Sequence, residues 1–379
     1  MSARRYNPDG RRGSGVRRVL VLILLMLLLA GGGAAAWFWT VLTEPYMNFP
    51  SEGVFVTVPR GATGRMVGRL MEKNGVVRSA LTFRYLARRY PRRPLQAGEY
   101  FFDHPQTPGE VFETIASGKI FEKIVTVPEG YTMFDIAQLF EQQGFMKHEE
   151  FLAAASDPSS VRDLAPGAQT LEGFLFPATY HFPRHPTPQD AVASMVHHFR
   201  EVWQRIAPIH PLDGRTVEQV VTLASLVERE TPVTAERPIV AGVFTNRLRA
   251  RHSLQCDPTV VYALSLARKY NGSLTRADLR FDSPYNTYRN RGLPPGPIAN
   301  PGEESLRAAL DPAHVDYFYF VANTKGGHFF SRTLAEHNRN VARYHRLLGQ
   351  TAQAQSADGA PHEESEDAPK KRVRRKHSS

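Results

Sequence analysis

The 379-residue chain is 42% hydrophobic and 22% charged, ordinary values for a globular protein, and its length gives room for about two folded domains with extensions. The formal charge of +10 gathers at the ends: six arginines against Asp9 precede residue 19, six basic residues against five acids follow residue 350, and +4 is left between them. So mildly basic a middle argues against a DNA-binding face, and the lone Cys256 excludes an intrachain disulfide framework or a cysteine-based metal cluster.

Arg4, Arg5, Arg11, Arg12, Arg17 and Arg18 precede an uncharged run of 25 residues, Val19 to Thr43, where roughly 20 suffice to cross a hydrocarbon core. Trp37, Phe38 and Trp39 suit an interfacial belt, and the arginines place the N-terminus in the cytoplasm. The expectation is a basic tail over 1–18 and a single transmembrane helix over 19–43. A cleavable signal peptide is the rival, with a dense apolar part of 12 residues, Val19 to Ala30, and a small-residue site at Ala34-Ala35-Ala36. Either way, the chain beyond residue 44 is exported.

An internal repeat comes next. Val56-Thr57-Val58-Pro59-Arg60-Gly61-Ala62-Thr63 returns 69 residues later as Val125-Thr126-Val127-Pro128-Glu129-Gly130-Tyr131-Thr132, and Val67, Leu70, Glu72 and Gly75 align with Ile136, Leu139, Glu141 and Gly144. Each copy predicts a short strand, a Pro-x-Gly turn and an amphipathic helix closing at Gly75 or Gly144, with a second helix around 80–89 or 149–155. Two copies are too few for a solenoid, so a pair of small α+β modules is expected. Between them 98–102 reads as a strand and 107–117 as a helix with Pro108 at its first position. Arg84, Arg88, Arg89, Arg92 and Arg93 form the densest basic cluster of the exported part. It reads as a solvated surface or as a contact for anionic lipid headgroups or an acidic polymer.

Leu171-Glu172-Gly173-Phe174-Leu175-Phe176-Pro177-Ala178-Thr179-Tyr180 sets one acid among aromatics and is broken by Gly and Pro. Carbohydrate sites use that combination, the rings stacking on sugar faces and the carboxylate accepting hydroxyl hydrogens; core packing around a salt-bridged Glu172 is the alternative. Thr216 to Thr231 predicts a helix opened by a Thr216/Gln219 capping box, with Val217, Val220, Val221, Ala224 and Val227 in one apolar stripe. Glu228 shares that face and Glu230 points roughly opposite. A carboxylate on a buried face has its pKa raised by desolvation and suits a general acid; a frayed end at which Glu228 reaches water is the plain alternative.

From 236 to 262 the chain predicts two helices around Leu254-Gln255-Cys256-Asp257-Pro258-Thr259, with Asp257 as cap. A long rigid loop then runs from Ser283 through Tyr285-Asn286-Thr287-Tyr288 and Gly292-Leu293-Pro294-Pro295-Gly296-Pro297-Ile298 to Asn300-Pro301-Gly302, and loops of that length in compact domains are usually functional. A helix is expected over 303–310, a hairpin of 317–321 with 328–331 around Gly326-Gly327, and a closing helix over 338–348. His328 reads as a ligand or base, or as structural. The remainder, 351–379, has a disordered composition and ends in a Lys/Arg run suited to a polyanion or membrane.

No Gly-rich phosphate loop, H-E-x-x-H or G-x-S-x-G motif occurs, so neither a metal nor a cofactor is expected. In order, 223–231 (Leu-Ala-Ser-Leu-Val-Glu-Arg-Glu-Thr), 254–260, 285–288, 292–298 and Asn323-Thr324-Lys325-Gly326-Gly327-His328 resemble the endolytic murein transglycosylases, the YceG-like family, over roughly 45–348. The resemblance implies an α+β protein of the bacterial plasma membrane. Its parts would be the N-terminal transmembrane helix, a small LysM-like module (44–122) and a larger extracytoplasmic catalytic domain (123–350). It implies cleavage of nascent peptidoglycan strands as the activity, a lyase reaction, with Glu228 catalytic and peptidoglycan synthases as partners. Glu172, Gln255, Tyr285, Asn286 and Tyr288 are the candidates for holding sugar, N-acetyl or lactyl groups. Cys256 stands where the family more often has Thr or Ser, and Ala178 where an acid is common. A lytic transglycosylase leaves a 1,6-anhydro end and needs one carboxylate, unlike the paired-acid glycosidases. An inactive peptidoglycan-binding scaffold of cell division and a Glu228/Glu172 hydrolase are the alternatives, with nucleic-acid binding a distant third.

Overall fold

Helix α1 (Arg12–Thr43) contains the stretch Arg17–Thr43, long and apolar enough to cross a membrane, with the apolar side chains of Val19 to Leu29 exposed. The computed structural model describes residues 12–358, with side chains from 17 to 350. The expectations for residues 1–11 and for 359–379 lie outside that range. By contact density the chain divides into two units, one reaching to Ile124 and taking in His181–Arg184, the other comprising Val125–Tyr180 and the chain from His185.

In the first unit β1 (Val54–Val58) leads through Gly61 (φ 74°) into α2 (Gly64–Lys73), then α3 (Leu81–Arg89), β2 (Gly98–Phe102) and α4 (Pro108–Ala116). β1 and β2 pair antiparallel, Val54 opposite Phe102 and Val58 opposite Gly98. The side chains this pair turns inward, Val56, Val58, Tyr100 and Phe102, close over Val67 and Met71 of α2, Phe83 of α3 and Phe112 of α4. Leu42, near the end of α1, packs on the same core, and Phe38 of α1 meets Tyr85 of α3 edge-on at 5.6 Å. Arg84, Arg88, Arg89 and Arg92 are exposed, whereas Arg93 pairs with Glu113.

The repeat is a repeat of structure. β3 (Lys123–Thr126) leads through Gly130 (φ 77°) into α5 (Met133–Gln142) and α6 (His148–Ala155), as β1 leads into α2 and α3. Thr63 and Thr132 cap the first helix of each copy, accepting from Met66 and Asp135 N–H. Gly75 and Gly144 end those helices at positive φ, and the next amide returns to the carbonyl of the last turn, Val76 to Met71 and Phe145 to Phe140, each at 2.9 Å. β3 hydrogen-bonds with β4 (Thr179–Phe182).

Helix α7 (Pro188–Ile206) precedes α8 (Val217–Glu230). α8 opens with the expected Thr216/Gln219 capping box. Its apolar face is no narrow stripe, because every residue from Val220 to Val227 is buried. α9 (Arg237–Arg249), α10 (Asp257–Leu266) and α11 (Glu303–Leu310) all pack on it, the surroundings that an all-round apolar helix requires. The α10 cap is Cys256 rather than Asp257, with no side-chain capping bond. β5 (Tyr319–Ala322) and β6 (His328–Ser331) form the antiparallel hairpin. α12 (Leu334–Asp358) runs beyond the expected 338–348, so residues 351–358 of the supposed disordered tail are helical.

Candidate functional site

The C-terminal end of α8 presents two carboxylates in different surroundings. Glu228 does face inward, its side chain 5% exposed. Both its oxygens are engaged: Oε1 accepts from Arg237 Nη2 at 2.9 Å and Oε2 from the Gly302 N–H at 3.0 Å. Arg237, 7% exposed, also reaches Glu129 at 3.1 Å, and Arg229 donates to the Gly130 carbonyl at 3.0 Å. Burial raises the Glu228 pKa, against the Gly302 amide and the Arg237 charge, which lower it. The end of α8 is thereby fastened to the Pro128–Tyr131 turn, the start of α9 and the Asn300-Pro301-Gly302 turn. A Cβ on Gly302 would run into the Glu129 carboxylate.

Glu230 lines a cavity of about 390 Å³ whose walls come from the 254–257 loop, Tyr288, the β5–β6 hairpin and α12. Burial raises its pKa and the Asp257 charge adds to this, while the Cys256 thiol, His328 and Arg247 oppose. Among the described residues no cation pairs with Glu230 in the way Arg237 pairs with Glu228. His328, also in the wall, is fixed by Glu236: Nδ1 lies 2.7 Å from Oε2, and the backbone N–H donates to Oε1 at 2.9 Å. Tyr288 donates its hydroxyl to Asp257 Oδ1 at 2.5 Å. Gln255, exposed and left-handed at φ 51°, completes this side of the cavity.

Thr287 brings two of the sequence motifs together. Its carbonyl accepts from Gln255 N–H at 3.2 Å, its hydroxyl accepts from Cys256 N–H at 3.0 Å, and that hydroxyl lies 2.9 Å from the Thr259 hydroxyl. Of the six candidate site residues, Gln255 and Tyr288 line the Glu230 cavity; Glu228, Glu172, Tyr285 and Asn286 do not.

Glu172 is 2% exposed and enclosed by donors: Met133 N–H at 3.1 Å, Asn300 Nδ2 at 2.9 Å and the Tyr262 hydroxyl at 3.2 Å. Burial lifts its pKa to about 8. It is therefore closed to a sugar, and not salt-bridged. Asn286, fully buried, donates to the Leu279 and Phe281 carbonyls and accepts from Tyr288 N–H, which shapes the loop and leaves nothing for substrate. Tyr285 packs on Tyr262 at 5.0 Å between ring centres, and burial pushes its hydroxyl up to about 12.

Sequence reasoning passed over Glu230, Asp257 and the wall residues Tyr319 and His337. It also passed over Asn300, whose side chain accepts from Gly173 and Leu175 N–H and donates to the Tyr131 carbonyl and Glu172. The missed signal for Glu230 is helical phase. An apolar stripe marks the face of α8 that neighbours fill, whereas a substrate needs a face left open. Among the described residues no three His, Cys, Asp or Glu side chains converge as a metal ion requires.

A model of the YceG-like family matches residues 56–343. The chain is 33% identical over 319 residues to a protein of Bacillus subtilis (strain 168) named endolytic murein transglycosylase, covering 80% of this chain and 88% of that one. A Streptococcus pneumoniae serotype 2 protein of the same name is 31% identical over 324 residues, 77% of this chain and 58% of that longer protein. Among solved structures, the 2.6 Å crystal structure of a yceG-like protein from Listeria monocytogenes is 33% identical, covers 76% of this chain and 99% of that one, and has a TM-score of 0.49.

Proposed function

The chain belongs to the YceG-like family, and from that premise we propose that it is a membrane-anchored lytic transglycosylase that cuts peptidoglycan strands internally, with Glu230 as the acid. The observation that carries the assignment of Glu230 is the contrast at the end of α8. Glu230 opens onto a 390 Å³ cavity without a paired cation, whereas Glu228 is occupied by Arg237 and the Gly302 amide. An acid must hold a proton near neutral pH and reach a substrate oxygen. Burial favours the protonated form of both carboxylates, and the cavity gives Glu230 the access.

Glu230 donates its proton to the glycosidic oxygen between N-acetylmuramic acid and N-acetylglucosamine as the bond from C1 breaks. The C6 hydroxyl of the same muramoyl residue then closes on C1, and its proton returns to the Glu230 carboxylate. Atoms balance without water, the product carries a 1,6-anhydro ring, and one carboxylate serves both steps. Gln255 and the Tyr288–Asp257 pair offer an amide, a hydroxyl and a carboxylate to sugar hydroxyl and N-acetyl groups. Fixed by Glu236, His328 keeps its Nδ1 occupied and lends positive potential to the developing Glu230 carboxylate.

The apolar length of α1 supports anchoring in the bacterial plasma membrane with the remainder outside the cytoplasm. In the first unit, the strand–helix–helix–strand order with an antiparallel β1–β2 pair supports a LysM-like glycan-binding role. The deciding experiment is mass spectrometry of sacculus digests by wild type, Glu230→Gln and Glu228→Gln. Anhydro-muropeptides from wild type and Glu228→Gln but none from Glu230→Gln are expected. Loss with Glu228→Gln while Glu230→Gln stays active would return the role to Glu228, and no anhydro product from any form would leave a scaffold.

A further inference from the structure

Beside the Glu230 cavity lies a second one of about 250 Å³, lined by Arg247, Arg251 and Arg291 with His252, Gln255 and Tyr319, and by no acidic residue. The two cavities share Arg247, Gln255 and Tyr319, so they are neighbouring parts of one groove. Arg251 and Arg291 are exposed, and neither makes an ion pair among the described residues. Arg247 is of another kind. Its Nε and Nη1 donate to the Phe318 and Leu254 carbonyls, both at 2.6 Å, and its guanidinium lies 5.2 Å from the centre of the Tyr319 ring, so it is a fixed positive wall. Arg251 is left-handed at φ 53°, at the place where α9 ends with a His252 N–H to Arg247 carbonyl bond of 2.8 Å. Glycine is the usual occupant of that helix-end position.

Three guanidinium groups around one acid-free cavity select a planar anion, above all a carboxylate held by paired N–H donors. Resting on the glycan-cleaving reading, we infer that this cavity is a subsite for the peptide stem, binding free stem carboxylates on the muramoyl residue next to the scissile bond. A strand offers such carboxylates at every stem-bearing muramoyl residue, whereas a lipid pyrophosphate occurs once, at the strand's end. An enzyme that cuts within the strand meets the stem at each site. Gln255, lining both cavities, spans the step from sugar to stem.

The test uses the full-length protein in detergent micelles and two substrates, glycan strands bearing stems and the same strands stripped of them by an amidase. The double variant Arg251→Gln/Arg291→Gln is expected to raise KM on stem-bearing strands about tenfold, with kcat unchanged. Stripped strands should be cut alike by variant and wild type. Arg251→Asn/Arg291→Gln, which keeps a residue tolerant of the left-handed backbone, should behave the same and removes loss of fold as an explanation. Equal KM values on stem-bearing strands, or an equal loss on both substrates, would overturn the subsite. Titration of the isolated stem tetrapeptide by calorimetry tests it independently of cleavage. Binding abolished in both double variants supports it, and binding of pyrophosphate with no binding of tetrapeptide overturns it. Failure of wild type to cut either strand, with tetrapeptide binding intact, would sink the glycosidic reading and leave the subsite standing.

Discussion

Glu228 and Arg237 are shut away from water together, their side chains 5% and 7% exposed and 2.9 Å apart. A buried pair of this kind holds elements in place, and removing one charge leaves the other stranded. Glu228→Gln should therefore destabilise the protein by roughly 3 kcal/mol, the lower end for such pairs because Glu129 still reaches Arg237, while the folded fraction keeps its turnover. Glu230→Gln should do the reverse, ending turnover with little loss of stability, since it removes a carboxylate whose charge burial disfavours. Denaturant midpoints beside product formation at low temperature separate the two patterns. Equal loss of activity in both variants would contradict the division of roles.

Glu172 makes stability depend on pH. Its pKa rises from 4.5 to about 8, first of all through burial, so the folded state holds the proton more tightly than the unfolded chain does. A raised pKa contributes stability that is complete below about 4.5 and is lost as pH climbs towards 8. The melting temperature should fall across that window, and Glu172→Gln should flatten the fall whatever its effect on absolute stability. An unchanged slope in that variant would mean that the hydrogen bonds donated by Met133, Tyr262 and Asn300 keep Glu172 ionised.

Local rules made much of the fold readable in advance. The β1–α2–α3 and β3–α5–α6 copies follow from Pro-x-Gly turns, Thr caps and terminal glycines, all of which act within a few residues. α11 and the β5–β6 hairpin follow from equally local signals. The site was legible only as a set of motifs. Nothing in the spacing of Glu172 says that Met133, Tyr262 and Asn300 enclose it, from 39, 90 and 128 residues away. Nor does helical phase say that Arg237 occupies the inward face of α8. Burial and access look alike in a periodicity, and only the packed neighbours tell them apart.

The two left-handed glycines of the first repeat copy, Gly61 and Gly75, should respond differently to alanine. Gly61 and Gly75 have almost the same φ, 74° and 73°, but a Cβ on Gly61 meets open space whereas one on Gly75 collides with the Asn48 carbonyl. Gly61→Ala should cost about 1–2 kcal/mol, the left-handed penalty alone. Gly75→Ala should cost clearly more, because the Asn48 N–H bond to the Gly75 carbonyl at 2.9 Å holds the obstructing backbone there. Equal losses on denaturant titration would show that the segment after α1 yields freely.

Asn300 is where the site's supports converge, and its replacement should be damaging. The side chain uses every bond it can make within its surroundings: Oδ1 accepts from Gly173 and Leu175 N–H at 2.8 and 2.9 Å, and Nδ2 donates to the Tyr131 carbonyl and Glu172, both at 2.9 Å. Its own backbone exchanges bonds with Gly130 and Tyr131, each at 2.9 Å. Asn300→Ala strands two amides and part of a carboxylate in the core, while the Tyr131 carbonyl keeps the Asn300 backbone N–H; at about 1–3 kcal/mol for each amide left unpaired, a loss of at least about 2 kcal/mol is expected. Asn300→Asp keeps the shape and the two accepted bonds but sets a second carboxyl against Glu172, pushing the Glu172 pKa higher still. It should be least damaging at low pH, where both groups carry protons, and worsen steeply towards neutrality. Melting curves of the two variants from about pH 4 to 8 would show this as a steeper fall for aspartate than for alanine, which keeps only the slope due to Glu172 itself. Parallel curves would mean that water, rather than Asn300, satisfies the enclosure around Glu172.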